Sequence, residues 1–261
     1  MIEIEVRDGL GWVILNRPEV RNALSSELME SIGEAIDSHS ADPAVRALVI
    51  TGAGSAFCAG ADLRSMSTAR EAGADDNRSD AHRMGSLFHR VAACRKPVVA
   101  RVNGPAIGGG VGLMAACDIV VASEKTRFQF SEVRLGIVPA VISPFCIRRL
   151  GATVAKRLFM TGEAIDARQA LAYGLVDIVT TPEELDAAVA RVSDDLRKAG
   201  PNALIAAKEL VDTVCRLGID GALDYTAEVI ARLRVSDEAA EGFTAFLEKR
   251  PPKWAAGGKQ S

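Results

Sequence analysis

The chain has 261 residues, of which 48% are hydrophobic and 25% charged, with a formal net charge of −3. That is enough for one large domain or a domain with a helical appendage, and the composition is that of a globular rather than a disordered protein. The weak acidity recruits neither nucleic acid nor an anionic membrane; no apolar run has the length of a membrane span, and Met1–Glu5 lacks the basic start and apolar stretch of a signal peptide, so the cytoplasm is the expected compartment.

Ile2–Arg7 and Gly11–Asn16 alternate or run apolar around Asp8-Gly9, which predicts a hairpin. Asn16-Arg17-Pro18 ends the second strand. Ser25 or Ser26 can cap a helix through Ser38, in which Leu28, Ile32, Ala35 and Ile36 share a face. Val45–Thr51 is a short β-branched strand ending at Gly52. A first glycine-bearing segment follows, Phe57–Leu63 (FCAGADL). Ser65–Ser79 is small, polar and charged, and reads as a loop or frayed helix before a helix over Asp80–Cys94. Pro97–Val102 is a buried strand that leads into a second glycine segment, Asn103–Leu113 (NGPAIGGGVGL). Gly109–Ala116 suits a short, tightly packed helix; Asp118–Ala122 and Arg127–Phe130 are strands.

After Pro139 the pattern turns helical: Thr153–Thr161, Ala167–Tyr173, Pro182–Ala199, Pro201–Arg216, Gly218–Arg234 and Ser236–Glu248, with one strand at Leu175–Val179. Residues after Trp254 read as disordered. Strand, glycine turn and helix recur at about fifty residues, which predicts a layered α/β spiral. The division expected is a core over 1–198 and a helical region over 199–261. The apolar faces of the last three helices need a partner surface, either the body of the chain or another subunit.

The five cysteines are scattered without a C-x-x-C, which argues for reduced, buried thiols and against disulfides or a zinc site. No G-x-S-x-G elbow is present, and His39, His82 and His89, read as surface or loop residues, give little support to a hydrolase triad or a metal. Gly110-x-Gly112-x-x-Ala115, with Glu132 twenty residues past Gly112, fits a relaxed dinucleotide fingerprint. However, Asn103-Gly104-Pro105 separates the glycines from the strand end, where a phosphate turn needs them. Two glycine segments can instead aim unpaired N–H groups at one point, forming an oxyanion hole for an enolate or tetrahedral intermediate. Glu132 stands among apolar residues after a strand; it is either salt-bridged to Arg134 or Arg127, or a desolvated acid/base. The two glycine segments favour the second.

In order and spacing, Asn16-Arg17-Pro18 with Asn22-Ala23-Leu24, AFCAGADL at 56–63, KPVVARVNGPAIGGGVGL at 96–113, CDIVVAS at 117–123, FSEVRLGIVP at 130–139, TGEAIDARQALAYGLVD at 161–177, AAKELV at 206–211 and EGFTAFLEKRPPKW at 241–254 resemble the crotonase (enoyl-CoA hydratase/isomerase) superfamily over nearly the whole chain. The resemblance implies a spiral of β-β-α units with a C-terminal helical trimerisation region, assembled as a homotrimer or homohexamer. It implies an acyl-CoA thioester substrate, with coenzyme A part of the substrate and no separate cofactor or metal. By motif position, the N–H groups of Ala61 and Gly109 would form the oxyanion hole and Glu132 the acid/base. Arg21, Ala23, Ala59, Asp62, Leu63, Arg64, Gly108, Gly112, Pro139 and Lys249 would line the substrate or CoA path.

The departure is at Gly112, where hydratases of the family generally carry a first glutamate; Glu132 matches the second. The missing side chain is expected to leave room for a water or a substrate branch. GVGL with SEVRLGIVPAVISPF at 131–145 looks like the subgroup acting on methylglutaconyl- and carboxygeranoyl-type thioesters; Arg148 or Arg149 are candidates for a substrate carboxylate, although as Ile-Arg-Arg-Leu on a helix they are expected rather to face solvent. The implied activity is hydration of a 2-enoyl-CoA, with Δ3,Δ2-enoyl-CoA isomerisation by Glu132 alone as the alternative and a non-catalytic acyl-CoA-binding homologue as the third.

Overall fold

A computed structural model of the chain describes residues 1–62 and 69–256. In chain order the elements are β1 (Ile2–Arg7), β2 (Leu10–Leu15), α1 (Ser26–Ala41), β3 (Ala47–Gly52), α2 (Ala69–Ala92), β4 (Val98–Val102), β5 (Ala106–Ile107), α3 (Gly109–Ala115), β6 (Ile119–Ser123) and β7 (Arg127–Gln129). There follow α4 (Ser143–Thr161), β8 (Ala164–Asp166), α5 (Ala167–Ala172), β9 (Ile178–Thr180), α6 (Leu185–Lys198), α7 (Pro201–Arg234), α8 (Asp237–Leu247) and α9 (Lys253–Ala256).

The main sheet runs β1-β2-β3-β4-β6-β9, with the β1/β2 hairpin antiparallel and every later pairing parallel. Each parallel step needs a crossover, which helices and glycine segments supply. All six residues of β3 are buried, as expected of a strand covered on both faces. One face carries Leu48, Ile50, Val98, Ala100, Val120 and Ala122 into the larger core with α1, α2 and α3. The other presents Trp12, Val49, Val99 and Val121 to Leu185, Ala188 and Val189 of α6. A small second sheet, β5-β7-β8, stands beside it. Among the described residues no helix is long and apolar enough to cross a membrane.

Three helices differ from expectation. α2 begins at Ala69 rather than Asp80, turning at Gly73 (φ 80°), so of the two readings of 65–79, loop or frayed helix, the helical one holds from Ala69; Ala255 and Ala256, expected to be disordered, close α9, and residues 65–68 and 257–261 lie outside the described residues. α4 turns at Gly151 (φ 69°): its second arm is the helix expected over Thr153–Thr161, and its first arm, from Ser143 with Pro144 in the first turn, stands where no element was expected. The expected pair 201–216 and 218–234 forms two arms of α7 joined at Gly218 (φ 69°), facing each other across an apolar cleft lined by Ala206, Leu210, Val229, Ile230 and Leu233. Polar contacts that tie this region to the body include Lys208 to Asp118 at 2.7 Å, Lys208 to the Lys96 carbonyl at 3.4 Å, and Arg148 to Asp212.

Candidate active site

The first glycine segment is held by a residue whose role the sequence did not reveal. Asn22 is fully buried, with a left-handed backbone (φ 58°). Its Nδ2 donates to the carbonyls of Ala53 (3.0 Å), Ala56 (2.9 Å) and Phe57 (3.2 Å), while its Oδ1 accepts from Arg17 N–H (2.9 Å). The Ala59 N–H donates to Arg21 O (2.9 Å), Leu24 N–H to Gly60 O (2.7 Å) and Asp62 N–H to Leu24 O (3.1 Å). This pattern leaves the Ala61 N–H between two bonded neighbours with no hydrogen-bond acceptor among the described residues.

The second segment docks directly on the first. The Cys58 N–H donates to Pro105 O (3.3 Å), and Ile107 N–H returns a bond to Cys58 O (3.0 Å). Gly60 must be glycine: its φ is +93°, and a Cβ there would lie 2.6 Å from Ile107 O. A Cβ on Gly109 would lie 3.5 Å from the Ala61 nitrogen, so the two residues are close neighbours across the segments. Gly109 opens α3, so its N–H has no acceptor within the helix. The preceding Gly108 N–H is taken by Gln129 O (2.9 Å), a link from β7 that fixes where α3 starts.

Glu132 completes the arrangement. It begins a short 3₁₀ turn after β7, and its Oε1 lies 2.9 Å from where a Cβ on Gly108 would stand. Its Oε2 is buried without a hydrogen-bond partner among the described residues. Burial holds the carboxyl above the ordinary glutamate range. Neither arginine expected as a salt-bridge partner is paired with it: Arg127 faces Asp166 at 3.6 Å, and no ion pair to Arg134 is present among the described residues. A carboxylate against Gly108 also removes the dinucleotide reading, since it would repel a phosphate at the same glycines. Two free amides and one desolvated carboxylate can therefore stabilise a developing enolate and move a proton beside it.

The surroundings of Gly112 correct an expectation. A Cβ there would lie 2.7 Å from Ile142 Cβ, closer still to Ile142 Cγ2, and 3.3 Å from Phe88 Cε2. The missing side chain leaves no water-sized room, because a residue thirty positions later fills it. Arg148 and Arg149 are corrected as well: Arg148 pairs with Asp212, and Arg149 donates to the carbonyls of Ala115 (3.2 Å), Cys117 (2.7 Å) and Asp118 (3.0 Å) and faces Asp177. Both are structural ties rather than carboxylate receptors.

The remaining expected residues divide. Ala23 is buried, with its carbonyl accepting from Arg17 Nη1 (2.9 Å), and Asp62 stands 3.5 Å from Arg17. Pro139 is buried where the chain enters α4. Arg21 is exposed beside the first segment with φ 53°. Leu63 and Arg64 lie outside the described residues. Lys249 follows α8, and no hydrogen bond or ion pair among the described residues joins it to the glycine segments. Four cysteines are buried and Cys215 exposed; burial pushes the Cys58 thiol up to about 12. His82 and His89 are exposed as expected, but His39 is buried with Nε2 3.3 Å from Trp12 O. Among the described residues no His, Cys, Asp and Glu side chains gather as a metal site requires.

A family profile described as enoyl-CoA hydratase/isomerase matches residues 5–257. A relative from Thermus thermophilus is 40% identical over 254 residues, covering 97% of this chain and all of its own. The crotonyl-CoA hydratase of Syntrophomonas wolfei is 35% identical and covered to 95% on both sides. The crystal structure of Pseudomonas aeruginosa AtuE superposes with a TM-score of 0.93 at 38% identity, covering 97% of this chain and 99% of that one.

Proposed function

The chain belongs to the enoyl-CoA hydratase/isomerase family, and from that premise we propose that it hydrates a 2-enoyl-CoA thioester with Glu132 as its single acid/base. The observation that carries this reading is the buried Glu132 Oε2, without a partner among the described residues, in a carboxyl beside Gly108 and next to the amides of Ala61 and Gly109. With the thioester oxygen between those amides, Glu132 takes a proton from water as the water oxygen bonds to Cβ. The C=C electron pair moves to the thioester oxygen as an enolate. Glu132 then returns the proton to Cα, the carbonyl re-forms, and the carboxylate is regenerated. Burial suits it to this exchange, because a carboxyl held above its ordinary range gives and takes protons closer to neutrality.

A second reading, Δ3,Δ2-isomerisation, is favoured by Ile142, which fills the position beside Gly112 with hydrocarbon instead of a group that could hold water. There Glu132 would carry one proton between Cα and Cγ. Incubating the protein with 2-enoyl- and 3-enoyl-CoAs separates the two. Formation of 3-hydroxyacyl-CoA supports hydration; migration of the double bond with no water uptake overturns it in favour of isomerisation. Turnover by Glu132→Gln equal to the wild type would remove Glu132 from either mechanism. Tight CoA binding without turnover would leave the binding-homologue reading.

We also infer that the apolar faces of α7 and α8 are covered by further copies of the chain, in a trimer or hexamer. The exposed Leu223, Phe243, Phe246 and Leu247 support this.

A further inference from the structure

The filled space beside Gly112 bears on substrate choice. Both neighbours are core residues: Ile142 is 2% exposed and Phe88 fully buried. They arrive from different elements, Phe88 from the last turns of α2 and Ile142 from the residue just before α4. Phe88 is in turn braced edge-on by Phe145, with ring centroids 5.9 Å apart. The same two segments present their other sides to a groove of about 730 Å³ lined by Arg78, His82, Gly85, His89, Val141 and Pro144. Gly85 faces Val141 there, with 3.6 Å between an added Cβ and Cγ1. Ile142 and Phe88 are thus packed in the core against Gly112, while their near neighbours in sequence, Val141 and Gly85, line the groove.

A thioester oxygen held by Ala61 and Gly109 fixes where the rest of the acyl chain can go. Its Cα and Cβ must come within reach of Glu132, whose carboxyl lies at Gly108. The next surface along α3 is Gly112, one turn on, whose N–H donates to Gly108 O (3.1 Å). That surface is where Ile142 and Phe88 stand. Resting on the acyl-CoA reading above, we infer that Ile142, backed by Phe88, is the stop that sets how long or branched an acyl chain the site accepts. Gly112 is the counterpart of that stop: having no Cβ, it lets Ile142 reach the helix backbone. Shortening Ile142 frees the space its side chain fills beside Gly112 for more of the acyl chain.

The test compares kcat/KM for crotonyl-CoA and octenoyl-CoA in the wild type, Ile142→Val and Ile142→Ala. Each carbon removed from a hydrophobic pocket wall changes discrimination by about tenfold or more when a substrate group takes its place. The octenoyl-to-crotonyl ratio is therefore expected to rise by about tenfold in Ile142→Val, which removes one carbon, and by more in Ile142→Ala, which removes three. A ratio unchanged within about twofold in a cooperatively folded variant overturns the inference. If Ile142→Ala does not fold, Ile142→Val and Phe88→Leu decide it in the same way. If the wild type turns over neither thioester, the activity reading fails by itself. The stop is then judged by calorimetric binding of butyryl- and octanoyl-CoA, whose affinity ratio must shift toward octanoyl in the shortened variants; an unshifted ratio overturns it.

Discussion

Every residue of α3 is buried, and its glycines are spaced by contacts from three other elements, whereas in α7 and α8 Ile219, Phe246 and Leu247 are 85%, 82% and 80% exposed. Both regions are rich in apolar and small residues, so composition does not separate them. What separates them is where their partners lie. The glycine segments find theirs within the chain: Asn22 for the first, Cys58 and Gln129 for the second, Ile142 over Gly112. The C-terminal helices find polar anchors in the body, such as Asp118 for Lys208, and leave their largest side chains unmatched. Among the described residues, the glycine segments are thus held by contacts within one chain, whereas the helical region leaves large apolar side chains exposed. Perturbing one region at a time tests that distinction.

The largest effect is expected at Gly110. A Cβ there would lie 2.9 Å from both the carbonyl carbon and the Cβ of Cys58, with the carbonyl oxygen nearer still. Gly110→Ala would therefore push α3 off the first glycine segment and move the Gly109 amide away from that of Ala61. Misplacing one oxyanion donor costs about 10²–10³ in kcat. Overpacking would remove a further ~1–3 kcal/mol of stability, read as a lower melting temperature. Unchanged turnover in this variant would mean that the two amides do not act on a common oxygen.

A smaller effect, confined to the other region, is expected from Phe246→Asp combined with Leu247→Asp. If a second copy covers this face, each side chain contributes about 1.5–3 kcal/mol to the association. Analytical ultracentrifugation should then show the mass falling toward that of one chain, with the fold retained by far-UV circular dichroism. A mass unchanged from the wild type would show that the face is not the contact between copies.

These two regions also differ in how far the sequence disclosed them. The hairpin around Asp8-Gly9, the strands β3, β4 and β6 and the start of α3 were legible because local period and glycine placement are decided within a few residues. Glu132 was legible as a candidate because apolar neighbours flank it in sequence as well as in space. Asn22 was not, because the three carbonyls it gathers come from residues 53, 56 and 57 and meet only after folding. The occupant of the Gly112 space was not for the same reason: an absent side chain shows in sequence, but Ile142 reaches it only through tertiary packing. β5 and β8 have two and three residues, too few to show a period. In α4 and α7 a glycine with positive φ joins two arms; both arms of α7 were expected, but of α4 only the second.

The smallest effect expected joins stability to pH at Glu132, whose Oε2 has no partner among the described residues. Burial raises the folded-state pKa of Glu132 above its unfolded value, so the folded protein binds this proton more tightly than the unfolded chain. Its contribution is most favourable below the unfolded pKa and is lost as pH rises through the folded one. At neutral pH the ionised, desolvated group is therefore a net cost to the fold. Glu132→Gln keeps the shape and removes the charge. Its melting temperature should exceed that of the wild type at neutral pH, and the gap should narrow as pH falls toward the ordinary carboxylate range. A gap that is constant with pH, or that widens toward acid, would mean that Glu132 is ionised without cost and has a partner in solution. The same carboxylate would then be a poor proton carrier, and the contrast between a site held within one chain and an exposed helical face would lose its chemical half.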